Sequence, residues 1–209
     1  MTEPAATPVV HVVDDDPGVR RALSLLLESN GLDVHGHDSA EAFLASYDPA
    51  RPGCLVLDVR MPTMSGLELQ HELKRREITI PIIFLTGHGD VPMAAQAFRA
   101  GAVDFLEKPF EAEQLLARID DAVKRDLRNR EKAIQKRQAR ACYERLTPRE
   151  REVMALVVEG KSNKEIARLL DVSHRTIDVH RARVMEKMRV RTLPQLVDKA
   201  VLCGLHDPA

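Results

Sequence analysis

The sequence predicts a two-part chain: a doubly wound α/β unit with a five-stranded parallel sheet, then a helical linker and an all-α unit of four short helices holding a helix-turn-helix. Three observations carry this. Between residues 9 and 106, five short strand-like segments alternate with stretches of helical periodicity, the order that builds a parallel sheet covered on both faces. From residue 124 the strand signals stop and the charge turns basic. Beyond residue 146, Thr or Ser followed three residues later by Glu or Gln marks helix starts in close succession.

Val9–Val13 is a β-branched strand, and Pro17 suits the first turn of a helix reaching Asn30-Gly31. Leu32–His37 reads as a short strand and Ala40–Ser46 as a helix. The run Cys54–Leu57, bounded by Pro52-Gly53 and, beyond Asp58, by Pro62, is too short and too uniformly apolar for a helix and reads as a buried strand. Helix Leu67–Arg76, strand Pro81–Leu85, helix Pro92–Ala100 and strand Val103–Leu106 complete the sheet. A last helix starts near Glu111 and, with no strand signal and few Gly or Pro, extends to Arg145. Its apolar positions Leu116, Ile119, Val123 and Leu127 follow helical spacing, then thin to Ile134 alone. That favours a semi-rigid spacer over a dimer seam. The expected bounds are 1–123 for the α/β unit, 124–142 for the linker and 143–209 for the helical unit.

With 209 residues, 44% hydrophobic and 30% charged, the chain has the composition of a globular protein of two small domains. No apolar stretch approaches the roughly 20 residues of a membrane span, and the amino terminus lacks a basic start followed by an apolar run, so a cytoplasmic chain without membrane contact is expected. Cys54, Cys142 and Cys203 match no metal spacing and read as packing residues. The net charge of -1 hides an asymmetry: residues 1–123 carry 10 Lys/Arg against 20 Asp/Glu, residues 124–145 carry 9 against 3, and residues 146–209 carry 12 against 9. An acidic front suits a cation site and a basic back suits phosphate backbone.

All strands of such a sheet end on one edge, where open parallel sheets bind ligands. That edge collects Asp14 and Asp15, Asp58, Thr86 and Lys108. Asp58 alone would read as a carboxylate capping the next loop. The run Asp14-Asp15-Asp16 is harder to explain structurally, because three acids repel unless a cation or base sits among them and a helix amino terminus offsets only one. As chemistry the set is coherent. Two or three carboxylates suffice for Mg²⁺, which keeps several waters and takes phosphate oxygens. Asp58 would then be a nucleophile forming an acyl phosphate, Lys108 would neutralise the phosphoryl group and Thr86 would offer it a hydroxyl.

Through MPTMSG, TGHGDVPMA and GAVDFLEKPF, residues 9–121 resemble a two-component response-regulator receiver domain of the FixJ-type branch. The resemblance implies a flavodoxin-like fold, with Mg²⁺ held by Asp14, Asp15, Asp58 and the backbone carbonyl of Arg60, Asp15 being the more direct ligand of the first two. It implies phosphoryl acceptance at Asp58 from a sensor histidine kinase, with Thr86 as switch hydroxyl, Phe105 as switch aromatic and Lys108 as the essential lysine before a cis proline. Phosphorylation would then draw in the loop Gly87–Val91 and let Phe105 rotate. The face carrying Met93, Ala94, Ala97 and Val103, whose small residues permit close approach, is the expected homodimer face.

In the helical unit, Thr147–Glu150, Ser162–Glu165 and Thr192–Gln195 read as capping boxes, and Ser173 as the cap of a further helix. Lys164–Leu170 and His174–Met188, joined by Asp171-Val172-Ser173, have the spacing of a helix-turn-helix. The second helix buries Ile177, Val184 and Met188 and turns Arg175, Asp178, Val179, Ala182 and Arg183 outward, with His180 at the boundary. Exposed Val179 and Ala182 beside arginines suit a major groove, where apolar atoms meet thymine methyls, although a protein-binding surface helix is the plainer reading. Residues 143–207 resemble the LuxR/NarL-type DNA-binding domain through LTPREREVM, GKSNKEIARLLDVS and RTIDVHRARVMEKM. The resemblance implies a surface for double-stranded DNA made of Lys161, Lys164, Ser173, Arg175, Thr176, Asp178, Val179, Ala182, Arg183 and Lys187. Many members of the wider family have Lys at the position of Asp178, so base preference does not carry over. Asp178 is expected either to accept from cytosine N4 or to hold Arg175 or Arg181.

The two halves together indicate a transcription factor, not an enzyme, whose binding to an inverted-repeat site is controlled by phosphorylation and receiver dimerisation, with RNA polymerase a further partner. One rival is a phosphorylation-independent DNA-binding regulator. The other is a phosphatase of the haloacid-dehalogenase type, which needs a second acid two residues after the nucleophile, where this chain has Arg60.

Overall fold

A computed structural model describes residues 7–87 and 104–205, and the chain divides into two compact units, Met1–Arg130 and Glu131–Ala209. The expected helix Pro92–Ala100, most of the loop before it, and Met93, Ala94, Ala97 and Val103 lie outside the described residues. The first unit runs β1 (Val9–Val13), α1 (Pro17–Ser29), β2 (Asp33–His37), α2 (Ala40–Ser46), β3 (Gly53–Asp58), α3 (Gly66–Arg75), β4 (Ile82–Thr86), β5 (Asp104–Glu107) and α4 (Ala112–Glu144), the last continuing into the second unit.

The sheet is wholly parallel, in the order β2-β1-β3-β4-β5. Its three central strands are almost continuously apolar because both faces are covered, while the edge strands carry polar residues. Alternation along each strand sorts the core into two layers. Leu55, Leu57 and Phe84 meet Phe43, Leu69 and Leu73 on one face. Val56, Ile83 and Leu85 meet Leu27, Leu115 and Ile119 on the other. The direction in which successive strands are added reverses between β1 and β3, the switch point at which such sheets open a crevice.

Helix α4 differs from its expected register. Leu115, Ile119 and Ala122 form its buried face, Leu127 is 41% exposed, and Asp126 takes the inner position one turn on. The reason is a hydrogen-bond obligation: Asp126 Oδ2 accepts from the Gly53 amide (3.0 Å) that opens β3 and from Arg130 Nε (2.6 Å), and Arg130 Nη1 donates to the Pro49 carbonyl (2.7 Å). These ties fall beyond residue 123, so the α/β unit reaches further along the helix than the expected boundary. Gly53 is itself required, since a Cβ there would lie 1.9 Å from the Val9 carbonyl oxygen.

The second unit contains α5 (Pro148–Val158), α6 (Asn163–Leu169), α7 (His174–Lys187) and α8 (Leu193–Leu202). Met154, Val157, Ile166, Ile177, Val184, Met188 and Leu196 form one core, to which Cys142 at the end of α4 contributes. Reciprocal capping boxes open α5 (Thr147, Glu150) and α6 (Ser162, Glu165). At α8, Thr192 caps the Gln195 amide but the Gln195 carbonyl oxygen turns back to the Arg191 amide (2.9 Å), so the third box is not closed. A reciprocal box that the sequence reading passed over, Ser65 with Glu68, opens α3.

His11 on β1 and His37 on β2 are buried together, His11 Nδ1 lying 3.1 Å from His37 Nε2, with Phe43 and Tyr47 edge-on to His11. Burial, then the neighbouring His37, His35 and Arg51, push His11 down to about 4 against the opposing pull of Asp33, and burial also lowers His37. Folding therefore favours the neutral rings. Their contribution is complete above the ordinary histidine value and is lost as pH falls from about 6.5 towards about 4. Urea unfolding at about pH 7 and about pH 4.5 is expected to show this loss, and His11→Leu to make it smaller by about 2–3 kcal/mol.

Candidate functional site

Neighbouring strands bring the edge residues together. Val13 pairs with Leu57, so Asp14 and Asp58 leave the sheet side by side, and Thr86 pairs with Glu107, which places Lys108 beyond the next strand end. The Lys108 amide donates to the Thr86 carbonyl at 2.7 Å. Its ammonium donates to Asp58 Oδ1 at 2.6 Å and to Asp14 Oδ2 at 3.1 Å, bridging the two carboxylates. Each acid also takes a backbone amide two residues on: Asp58 Oδ2 from Arg60 (2.7 Å) and Asp14 Oδ1 from Asp16 (2.9 Å). The Lys108-Pro109 bond is cis. Gly66 lets α3 begin against this strand end, for a Cβ there would sit 2.3 Å from the Asp58 carbonyl oxygen.

The members of the acidic run have separate tasks. Asp16 caps α1, its Oδ1 accepting from the Gly18 and Val19 amides at 2.7 and 3.2 Å. Asp15 is exposed and Asp14 buried. Burial raises Asp14 above the ordinary carboxylate value, against the Asp16 amide and the Lys108 ammonium. Burial also works against the charged form of Lys108, but Asp58 and Asp14 outweigh it and hold the lysine above its ordinary value, fully protonated. Thr86 is buried with its hydroxyl donating to the Gly87 carbonyl (3.2 Å), and Phe105 is half-buried against the β3–α3 core layer.

Among the described residues no three His, Cys, Asp or Glu side chains form a ready-made metal cage. The donor set nevertheless fits Mg²⁺. Asp14, Asp15 and Asp58 supply carboxylates at this strand edge beside the Lys108 ammonium and the Arg20 guanidinium, and a small hard dication that keeps most of its waters needs only one or two carboxylates and a carbonyl.

On the helical unit, Ile177, Val184 and Met188 are buried, while Arg175, Asp178, Val179, Ala182 and Arg183 all face outward, Val179 with 46% of its surface exposed. Lys161 and Lys164 are exposed beside the start of α6. Ser173 accepts from the Thr176 amide (3.1 Å) as the cap of α7, and its hydroxyl lies 2.8 Å from that of Thr176. Asp171 holds a left-handed backbone in the turn (φ 51°), a conformation Asp tolerates. His180 lies half-buried, its Nδ1 without a hydrogen-bond partner among the described residues.

A family model for the response regulator receiver domain matches residues 10–120, more than half of the chain. The chain belongs to the response regulator family. A second model, for bacterial regulatory proteins of the luxR family, matches residues 144–200. This response regulator is 48% identical over 195 residues to the transcriptional regulatory protein FixJ of Rhizobium meliloti, covering 93% of this chain and 96% of that one. It is 47% identical over 189 residues to the response regulator protein TmoT of Ectopseudomonas mendocina, covering 90% and 86%. Among solved structures, the response regulator StyR superposes with a TM-score of 0.82 at 43% identity, covering 94% of this chain and 99% of that one. Full-length FixJ from B. japonicum superposes with a TM-score of 0.58 at 42% identity, covering 97% and 100%. The protein is thus a two-component response regulator, a FixJ-like transcription regulator with a receiver and a LuxR-type DNA-binding domain. Its receiver implies a histidine kinase partner. No helix among the described residues is long and apolar enough to cross a membrane.

Two surface expectations change in the structure of this regulator. Asp178 holds neither Arg175 nor Arg181: its oxygens face Asn163 Nδ2 (2.7 Å) and His174 Nδ1 (3.2 Å), two residues the sequence reading gave no role. No local signal marks Asn163, because it reaches Asp178 only through the packing of α6 on α7. Lys187, expected to neutralise phosphate, donates instead to Glu150 Oε2 at 2.6 Å. Glu150 is 2% exposed, and although burial pushes its carboxyl up, Lys187 and the Thr147 amide outweigh that and hold it below the ordinary value. Lys187→Ala would leave this buried acid short of a partner. It is expected to destabilise the helical unit by about 1–3 kcal/mol, read as a lowered thermal midpoint in the absence of DNA, with the lysine's partial exposure keeping the cost below that of a fully buried pair.

Proposed function

We propose that Asp58 accepts a phosphoryl group in the presence of Mg²⁺, with Asp14, Asp15, Asp58 and the Arg60 carbonyl as the metal's protein donors, and that phosphorylation couples receiver dimerisation to DNA binding by α7. The observation that carries this reading is the Lys108 ammonium lying between Asp14 and Asp58 at 3.1 and 2.6 Å. Bound Mg²⁺ would supply charge neutralisation for the transferring group. An Asp58 carboxylate oxygen attacks phosphorus while the bond from phosphorus to the kinase's imidazole nitrogen breaks, the electron pair leaving with the nitrogen, so that an aspartyl phosphate forms. Lys108, kept charged, neutralises the phosphoryl oxygens. The Thr86 hydroxyl turns from the Gly87 carbonyl to a phosphoryl oxygen, and Phe105 follows as the ends of β4 and β5 adjust.

The face carrying Met93, Ala94, Ala97 and Val103 is our candidate for a two-fold receiver contact, and a two-fold pair presents two copies of α7 to an inverted repeat. Residues 124–142 act as the connector, its first turns tied to the receiver by Asp126 and Arg130. Lys161, Lys164, Arg175 and Arg183 supply phosphate neutralisation, Ser173 and Thr176 sit at the cap of the reading helix, and Val179 and Ala182 are its apolar contacts. The regulator works in the cytoplasm, with RNA polymerase a further partner.

Intact-mass analysis after treatment with a small acyl-phosphate donor is expected to show an acid-labile phosphate adduct that requires Mg²⁺ and is absent from Asp58→Asn. An undiminished adduct on that variant would place the acceptor elsewhere. Sedimentation of the treated chain is expected to give twice the monomer mass, and an unchanged monomer at working concentration would remove dimerisation from the mechanism.

A further inference from the structure

The outward face of α7 carries two exposed acids, Asp178 and Glu186, and Asp178 is gripped from two sides. Asp178 Oδ1 accepts from Asn163 Nδ2 at 2.7 Å, and Oδ2 lies 3.2 Å from His174 Nδ1. Asn163 is fixed in turn, its Oδ1 accepting from Arg181 Nη1 at 2.9 Å, which leaves its amide nitrogen aimed at Asp178. Asn163 opens α6 behind the cap Ser162, and His174 opens α7 behind the cap Ser173, so both neighbours of Asp178 stand on backbone that is already set. Even so, the Asp178 side chain keeps 51% of its surface exposed.

We propose that Asp178, oriented by Asn163, His174 and Arg181, selects cytosine at one position of each DNA half-site. The inference rests on α7 being the helix that enters the groove. An ionised carboxylate can only accept hydrogen bonds, and of its roughly four lone-pair sites one accepts from Asn163 while the other oxygen faces the His174 ring, which leaves at least two open. Guanine offers it two acceptors in the major groove, and thymine an acceptor and a methyl group. Adenine offers a donor beside an acceptor, so one oxygen would face a lone pair. Cytosine alone presents an amino donor with no acceptor next to it. Without the hold on Asp178, its carboxylate would be free to swing towards exposed Arg175, forming a surface ion pair of little worth instead of reading a base. Asn163, His174 and Arg181 are positioning residues: they touch no base and act through Asp178.

The test uses the full-length chain, treated with the phosphodonor, to enrich randomised duplexes. Single-base variants of the recovered half-site are then titrated with wild type, Asp178→Asn, Asn163→Ala and His174→Ala, each checked for folding by circular dichroism. Wild type is expected to prefer cytosine at one position by about tenfold. Asp178→Asn should transfer that preference to adenine, whose N6 and N7 suit an amide, and Asn163→Ala should flatten it there while leaving the ranking at other positions intact. If Asn163→Ala fails to fold, His174→Ala carries the same expectation. An unchanged ranking in Asp178→Asn, or a loss spread evenly over all positions, overturns the assignment, and an undiminished cytosine preference in the positioning variants overturns the orienting network. Failure of wild type to enrich any sequence overturns the DNA-reading role of α7 and this inference with it.

Discussion

A single ammonium set between two carboxylates organises the receiver. Asp14 and Asp58 end adjacent strands of a parallel sheet and would repel each other across the crevice, and the Lys108 ammonium at 3.1 and 2.6 Å makes that juxtaposition stable. The placement depends on the rest of the fold. β5 must lie beside β4, the Lys108 amide must be tied to the Thr86 carbonyl, and α3 must start at a residue without a side chain to clear the Asp58 carbonyl. Asp15 lies exposed beside this pair, and the Arg20 guanidinium donates to the Asp14 and Asp15 carbonyls at 2.7 and 3.3 Å, so the edge gathers acids and bases from β1, α1, β3 and the segment after β5.

The DNA-binding domain shows the complementary lesson about charge. Several of its cations are engaged within the domain. Lys187 answers buried Glu150, Arg149 pairs with Glu152 and reaches the Leu170 carbonyl, and Arg151 stacks over Tyr143 at 5.0 Å. Lys164, Arg168, Arg175 and Arg183 stay exposed on α6 and α7, and on the same two helices Asp178 is held by Asn163.

Much of this protein was determined by local sequence. Apolar runs too short for helices marked the three central strands, Pro and Gly marked the ends of α1, and the spacing of Thr or Ser to Glu placed the starts of α5 and α6 to the residue, because these signals act within one turn of chain. The carboxyl-edge residues were legible for the same reason, since each follows directly on an apolar run and a parallel sheet sends all such positions to one edge. What the sequence could not contain was which side chain answers which. Asp126 replaces Leu127 on the inner face of α4 because a backbone amide 73 residues away needs an acceptor. Glu150 engages Lys187, and Asn163 engages Asp178, across separations of 37 and 15 residues. Hydrogen bonds and ion pairs act over about 3 Å of space and carry no mark in sequence spacing, so only the packing of the helices decided which charges are engaged within the protein and which face outward.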